Sequence, residues 1–128
     1  MKGTVLSFIP VVIALLWNPD SARAHHGWAA FDSTSQITLK GRVTEFHFVN
    51  PHSVVAFEVR DEKSHLQLWE GELTSRSNLG PRGWTASSIE EGEEITITGY
   101  PAKNGAHAMR ITRIVLSNGK ELKVGAGN

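Results

Sequence analysis

The fold turns on residues 37–50, ITLKGRVTEFHFVN. Ile37, Leu39, Gly41 and Val43 fall on every second position, the period of a strand with one buried face. Phe46 and Phe48 continue the apolar series on the opposite phase. One extra residue near Thr44–Glu45 reconciles the two halves, so the spacing predicts a single long strand carrying a β-bulge. Asn50-Pro51-His52-Ser53 then ends the strand, because the residue before a proline avoids helical backbone and favours an extended or turn form.

The pattern continues outward from that strand. Val55, Phe57 and Val59 alternate, and residues 61–64 (DEKS) read as a turn. HLQLWEGEL, His65–Leu73, alternates as a third strand. Residues 74–84 (TSRSNLGPRGW) have the composition of a loop. Thr85–Glu90 is expected to form one short helical stretch with Thr85 or Ser87 as its cap. Glu94–Tyr100 and Ala106–Leu116 read as strands. SNGK, residues 117–120, is an Asn-Gly hairpin turn into a last short strand, Glu121–Val124. The expected fold is therefore all-β: a small OB-fold-like barrel of five to six strands over residues 37–124, with one short helix between its third and fourth strands. An N-terminal arm at residues 25–36 precedes it and a tail at 125–128 follows. A plain sandwich is the alternative, and neither fold assigns an activity.

The start of the chain reads as a leader. Lys2 is followed by a run of thirteen mostly apolar residues, Val5 to Trp17, and then by Ala22-Arg23-Ala24. Such a run is too short for a bilayer, which takes about 20 residues. Positive start, short apolar stretch and A-x-A site make a secretory signal peptide at residues 1–24. The expectation is export to the periplasm or beyond, with cleavage after Ala24 and no membrane span in the mature chain.

The whole chain has 128 residues, with 13 Lys+Arg against 13 Asp+Glu. The leader removes Lys2, Arg23 and Asp20, so the mature chain stays close to neutral. That balance argues against nucleic acid as a partner. There is no cysteine. Disulfides, thiolate metal sites and thiol chemistry are excluded, and the domain must rest on its apolar core.

Six histidines remain as candidate chemistry: His25, His26, His47, His52, His65 and His107. Cleavage after Ala24 would free the His25 α-amine, with an ordinary pKa near 8, beside an imidazole near 6.5. Amine and ring can chelate one ion. A third nitrogen from His26, His47 or His52 would complete a tetragonal set, which favours Cu(II). This is the histidine-brace arrangement of copper oxygenases and some copper carriers, a similarity of the site only. His52 stands at a loop–strand boundary fixed by Asn50-Pro51; the plainer reading has Asn50 and His52 bonding their own turn. His47, His65 and His107 read as surface positions. Glu70 and Glu72 share one strand face, with Trp69 and Leu73 on the other, and Glu72 is either a ligand or a support for an imidazole. Trp28, Trp69 and Trp84 are core or arm packing, or else a stacking platform for a flat ligand. There is no phosphate loop, no G-x-S-x-G elbow and no other nucleophile context.

Several phrases together resemble one family: HHGWAAFD, LKGRVTEFHFVNPH, LWEGEL, RGWTASSIEEGEEITITGYPAKNG and SNGKEL. It is a family of small exported bacterial proteins filed as domain of unknown function six-one-five-two. The resemblance spans residues 25–124. It implies export and an OB-like barrel, and it assigns no activity. Its recurrent polar positions fall on His25, His26, Asp32, Asn50, His52, Glu72, Asn78 and Arg82. The chain departs from the pattern at Gly27-Trp28, where Ser-Phe is usual, and at Phe46-His47-Phe48, where Trp is frequent.

The expectation is thus a periplasmic, non-enzymatic barrel that carries a metal ion, copper, through His25, His52, His26 and Glu72. Asn50, Asp32, Asn78, Arg82, Trp28, Trp69 and Trp84 are candidate ligand-binding positions. A ligand- or protein-binding module with structural histidines, serving a small molecule or a periplasmic protein, is the alternative. A copper oxygenase is disfavoured, because so small a chain offers no large flat substrate face.

Overall fold

β1, Ile37–His47, is one strand that serves two neighbours. Its first half pairs antiparallel with β4 (Glu94–Pro101) and its second half with β2 (Val54–Arg60). The register slips between Val43 and Glu45, leaving Thr44 as the extra residue of the expected bulge. The bulge keeps Phe46 on the inner side with Val43 while the strand bends from one neighbour to the other. The computed structural model describes residues 28–125. β3 (Leu66–Glu72) follows β2, and β5 (Ala108–Leu116) follows β4; β6 is Glu121–Leu122. The sheet order is β3-β2-β1-β4-β5-β6, and a parallel contact of β3 with β5 closes the first five strands into a barrel. That contact joins Glu70–Glu72 to Ala108–Arg110. Five closed strands with a helical piece between β3 and β4 are the OB-like barrel expected from the sequence.

The inner faces of the strands supply the core: Val43, Val55, Phe57, Ile95, Ile97, Met109, Ile111 and Ile114 are all buried. Leu73, Leu79 and Trp84 from the β3–β4 connection belong to the same cluster. Burying each large aliphatic contributes roughly 1.5–3 kcal/mol. Gly99 lets two strands approach closely: a Cβ there would strike the Arg110 carbonyl oxygen. It sits beside a second slip of register, between β4 and β5.

The helix lies earlier than expected. α1 is Arg76–Leu79, inside the stretch whose composition reads as loop. Ser75 caps it, its Oγ accepting from the Asn78 N–H at 3.2 Å. Pro81 then begins a 3₁₀ turn over Gly80–Arg82, and Gly83 at φ 91° ends it. Ser, Asn, Pro and Gly are the residues of helix ends as much as of loops, so composition alone misses a helix this short. Thr85–Glu90 is not helical. There the Thr85 N–H donates to Ser88 Oγ at 2.8 Å and the Ser87 N–H to Thr85 Oγ1 at 3.2 Å. Hydroxyls that bond nearby peptide groups compete with the helical ladder.

The described part of the arm is packed. Trp28–Ala30 form a 3₁₀ turn. Phe31 bridges to Ala102 and is buried. The Asp32 N–H donates to the Pro101 carbonyl at 2.8 Å and the Lys103 N–H to the Ala30 carbonyl at 2.9 Å. The arm thereby continues the line of β1 along the end of β4. Among the described residues no helix is long and apolar enough to cross a membrane.

Candidate functional site

The β1–β2 loop, residues 48–53, is tied to the start of α1. The Arg76 N–H donates to the Val49 carbonyl at 3.0 Å. Asn50 Oδ1 accepts from the Ser77 N–H at 3.0 Å and faces the Ser77 hydroxyl at 3.2 Å. With Ser75 taking the Asn78 N–H, the first three helical N–H groups all have acceptors, two of them from the loop. Ser53 is fully buried, its Oγ donating to the Val49 carbonyl at 3.2 Å. Asn50 therefore bonds the helix across the gap rather than its own turn. The Asn50–Pro51 peptide is cis.

These contacts fix His52 at the mouth of β2, over the seam where β3 meets β5. Glu72 and Arg110 are register partners across that seam. The Arg110 guanidinium donates to Glu72 Oε1 at 2.5 Å. The pair is largely enclosed, the two side chains keeping 7% and 17% of their exposure. His52 Nδ1 lies 3.3 Å from the same carboxylate oxygen. That atom is buried, and the approach lacks the alignment of a hydrogen bond. The His52 side chain as a whole is 42% exposed, so the edge carrying Nε2 faces outward. The arrangement is an outward imidazole whose inner edge rests on a carboxylate already held by a buried guanidinium. A carboxylate hydrogen-bonded to that inner nitrogen is what orients metal-binding histidines; here the Glu72 carboxylate stands beside it without that bond. Nothing local in the sequence marks Arg110 as part of a site. Its signal is a cation on the outward phase of β5, between buried Met109 and Ile111, and only the closure of the barrel brings it to Glu72.

The other candidates lie apart from this cluster. His25 and His26 fall outside the described residues, as does the side chain of Trp28. Asp32 closes a local turn, accepting from the Thr34 hydroxyl at 2.6 Å and the Thr34 N–H at 2.9 Å. Those bonds hold its carboxyl below the ordinary carboxylate range. Asn78 and Arg82 form a second patch, Arg82 donating to the Asn78 carbonyl at 2.6 Å. Trp84 is buried and its indole N–H donates to the Lys123 carbonyl at 2.9 Å, so it presents no stacking face. Trp69 is half-buried and stacks on His107 with ring centroids 5.0 Å apart. His47 pairs with Glu45 at 2.7 Å and His65 lies 3.5 Å from Asp61, both on the surface. Among the described residues no three His, Asp or Glu side chains converge as a metal site.

An OB-like barrel with an outward histidine over a buried ion pair is the class this geometry defines. The chain belongs to a family of unknown function (DUF6152), whose model matches residues 14–110. The match takes in His25 and His26, the Asn-Pro-His loop and both members of the Glu72–Arg110 pair. No protein of the curated set matches the chain.

Proposed function

We propose that this protein is an exported, non-enzymatic carrier or accessory protein that binds Cu(II). The His25 amine and imidazole and His52 Nε2 are the ligands, with His26 completing the set and Glu72 supporting His52. One observation carries the reading: the inner edge of His52 rests on Glu72 while its Nε2 faces outward. The chain length supports it too. The arm runs beside β4, and β5 and β3 follow at about 4.8 Å per strand, so roughly 14 Å separate the arm from β3. Residues 25–27, extended, cover about 10 Å of that before the side chains reach further. Cu(II) heads the divalent affinity series for nitrogen ligands.

The test is native mass spectrometry of protein exported with its own leader, given one equivalent of Cu(II). The expected mass begins at His25 and carries one copper, and His52→Ala loses it. A different N-terminus, or copper retained equally by His52→Ala, overturns the proposal.

A further inference from the structure

The β1–β2 loop and the α1–β4 connection flank a cleft of about 560 Å³. That volume lies within the range of small-molecule sites, roughly 300–1,000 Å³. Phe48, Pro81 and Ala86 give the cleft apolar walls, and no carboxylate lines it. The aromatic wall is braced from the core side. The Phe48 ring stands 6.0 Å from that of Phe46, which in turn stands 6.0 Å from buried Trp84.

The polar side chains of this cleft offer protons. Arg76 is exposed, and its guanidinium lies over the Phe48 ring, 5.6 Å from the centroid. Among the described residues that guanidinium makes no ion pair and no hydrogen bond. Asn50 Oδ1 accepts from the Ser77 N–H and the Ser77 hydroxyl. Those two donors fix which way the amide lies and leave both Nδ2 protons unspent. Thr85 Oγ1 accepts from the Ser87 N–H and keeps its own proton. The N–H groups at the start of α1 are already taken by the Val49 carbonyl, Asn50 and Ser75. Only side chains remain to hold a guest.

We infer that this cleft binds a small aromatic carboxylic acid. The carboxylate takes the Arg76 guanidinium and the Asn50 amide protons, and the ring lies along Phe48 and Pro81. A guanidinium held against a ring is pre-positioned, and its paired N–H donors match a carboxylate. One cation among neutral donors balances a single negative charge, which favours a carboxylate over a phosphate dianion. The apolar walls account for the ring, since they reward burial of a flat body and not of a bare ion. The inference stands apart from the copper reading, which uses His52 Nε2 and none of these groups.

The test is a titration of the metal-free exported protein with phenylacetate at constant ionic strength, read in nitrogen–proton correlation spectra. A dissociation constant of roughly 1–10 mM is expected for so small a ligand in an open cleft. The amides of Phe48, Asn50, Ser77, Thr85 and Ala86 are expected to shift together. Arg76→Gln, at an exposed position, weakens binding about fivefold or more. Asn50→Asp keeps an acceptor for the Ser77 N–H, so the loop stays tied to α1, and weakens binding by a similar factor. Phenylacetamide, which lacks the charge, and acetate, which lacks the ring, each bind about fivefold more weakly than phenylacetate or worse. Absence of localised shifts overturns the inference, as does binding indifferent to Arg76→Gln. Acetate as tight as phenylacetate overturns it too, because an exposed arginine would then be gathering anions without a site. Phenylacetamide as tight as phenylacetate overturns the role of the carboxylate.

Discussion

Arg110→Met tests the seam under His52. The substitution keeps an unbranched apolar stem and removes the guanidinium that Glu72 meets at 2.5 Å. A hydrogen bond to a charged group contributes about 1.5–3 kcal/mol. Stranding one member of a fully buried ion pair costs about 3–5 kcal/mol. Glu72 keeps 17% of its side-chain exposure, so water recovers part of that cost. The expected loss is about 2–4 kcal/mol in urea unfolding at pH 7, or a fall in Tm of roughly 10–25 °C for a domain of this size. Glu72→Met alone strands the guanidinium and costs a similar amount. The double variant replaces both charges with apolar stems of similar volume and is expected within about 1 kcal/mol of wild type. The cycle then gives a coupling of about 2 kcal/mol or more. Strictly additive single costs would refute the reasoning, because the two side chains would then be stabilised by separate surroundings. The double variant also serves the copper reading: it keeps the fold while removing the carboxylate from His52, so copper affinity is expected to fall about tenfold or more.

Three further outcomes follow from single contacts. Trp84→Phe keeps the ring in the core but loses the bond to the Lys123 carbonyl, costing about 1–2 kcal/mol in urea unfolding, with faster amide exchange near Val124. Gly99→Ala drives a Cβ into the Arg110 carbonyl, where only backbone can yield, and costs about 1–3 kcal/mol or more by the same assay. The Asp32 carboxyl, held low first by the Thr34 hydroxyl and then by its N–H, is expected to titrate below the ordinary aspartate range in carbon NMR. Its folded value is depressed, so its contribution to stability is present above that range and is lost as pH falls through the folded value; Thr34→Val moves the midpoint up toward the ordinary range.

The parts of the fold that were legible are those with a strong period. The strand from Ile37 alternates over eleven residues, so the slip of phase at Thr44 located the bulge. β2 and β4 were read from the same alternation. What failed was short or local. α1 has four residues and no room for a helical period, and its cap at Ser75 looks like loop chemistry. The third strand starts at Leu66 rather than His65, because the His65 N–H turns back to Asp61 Oδ1 at 2.9 Å. For the site, His52 and Glu72 were nameable from local context, an imidazole after a proline and a carboxylate in a strand. For Asn50 the local context offers a ligand-binding position or a bond within its own turn, and neither points to its partner Ser77, 27 positions away. Arg110 was invisible for the same reason: the pairing of β3 with β5 is a long-range parallel contact, and no local pattern encodes which strands close a barrel.

That closure also links the outward histidine to the free edge of β3. Only three register pairs join β3 to β5, and one of them is Glu72 with Arg110. Gly71 and Met109, the pair between, point inward, and a Cβ on Gly71 would strike Ile111, so the seam is both short and tight. Where the seam ends, at Glu70, β3 loses its second neighbour. The ion pair therefore holds the last residues of β3 against β5 and sets where the free edge starts. Weakening it should loosen both places together. In Arg110→Met the amides of Glu70 and Met109 are expected to exchange faster than those of β1, because local opening follows the contacts that hold a segment. Uniform acceleration across the barrel would instead mean that the seam opens only with the whole domain.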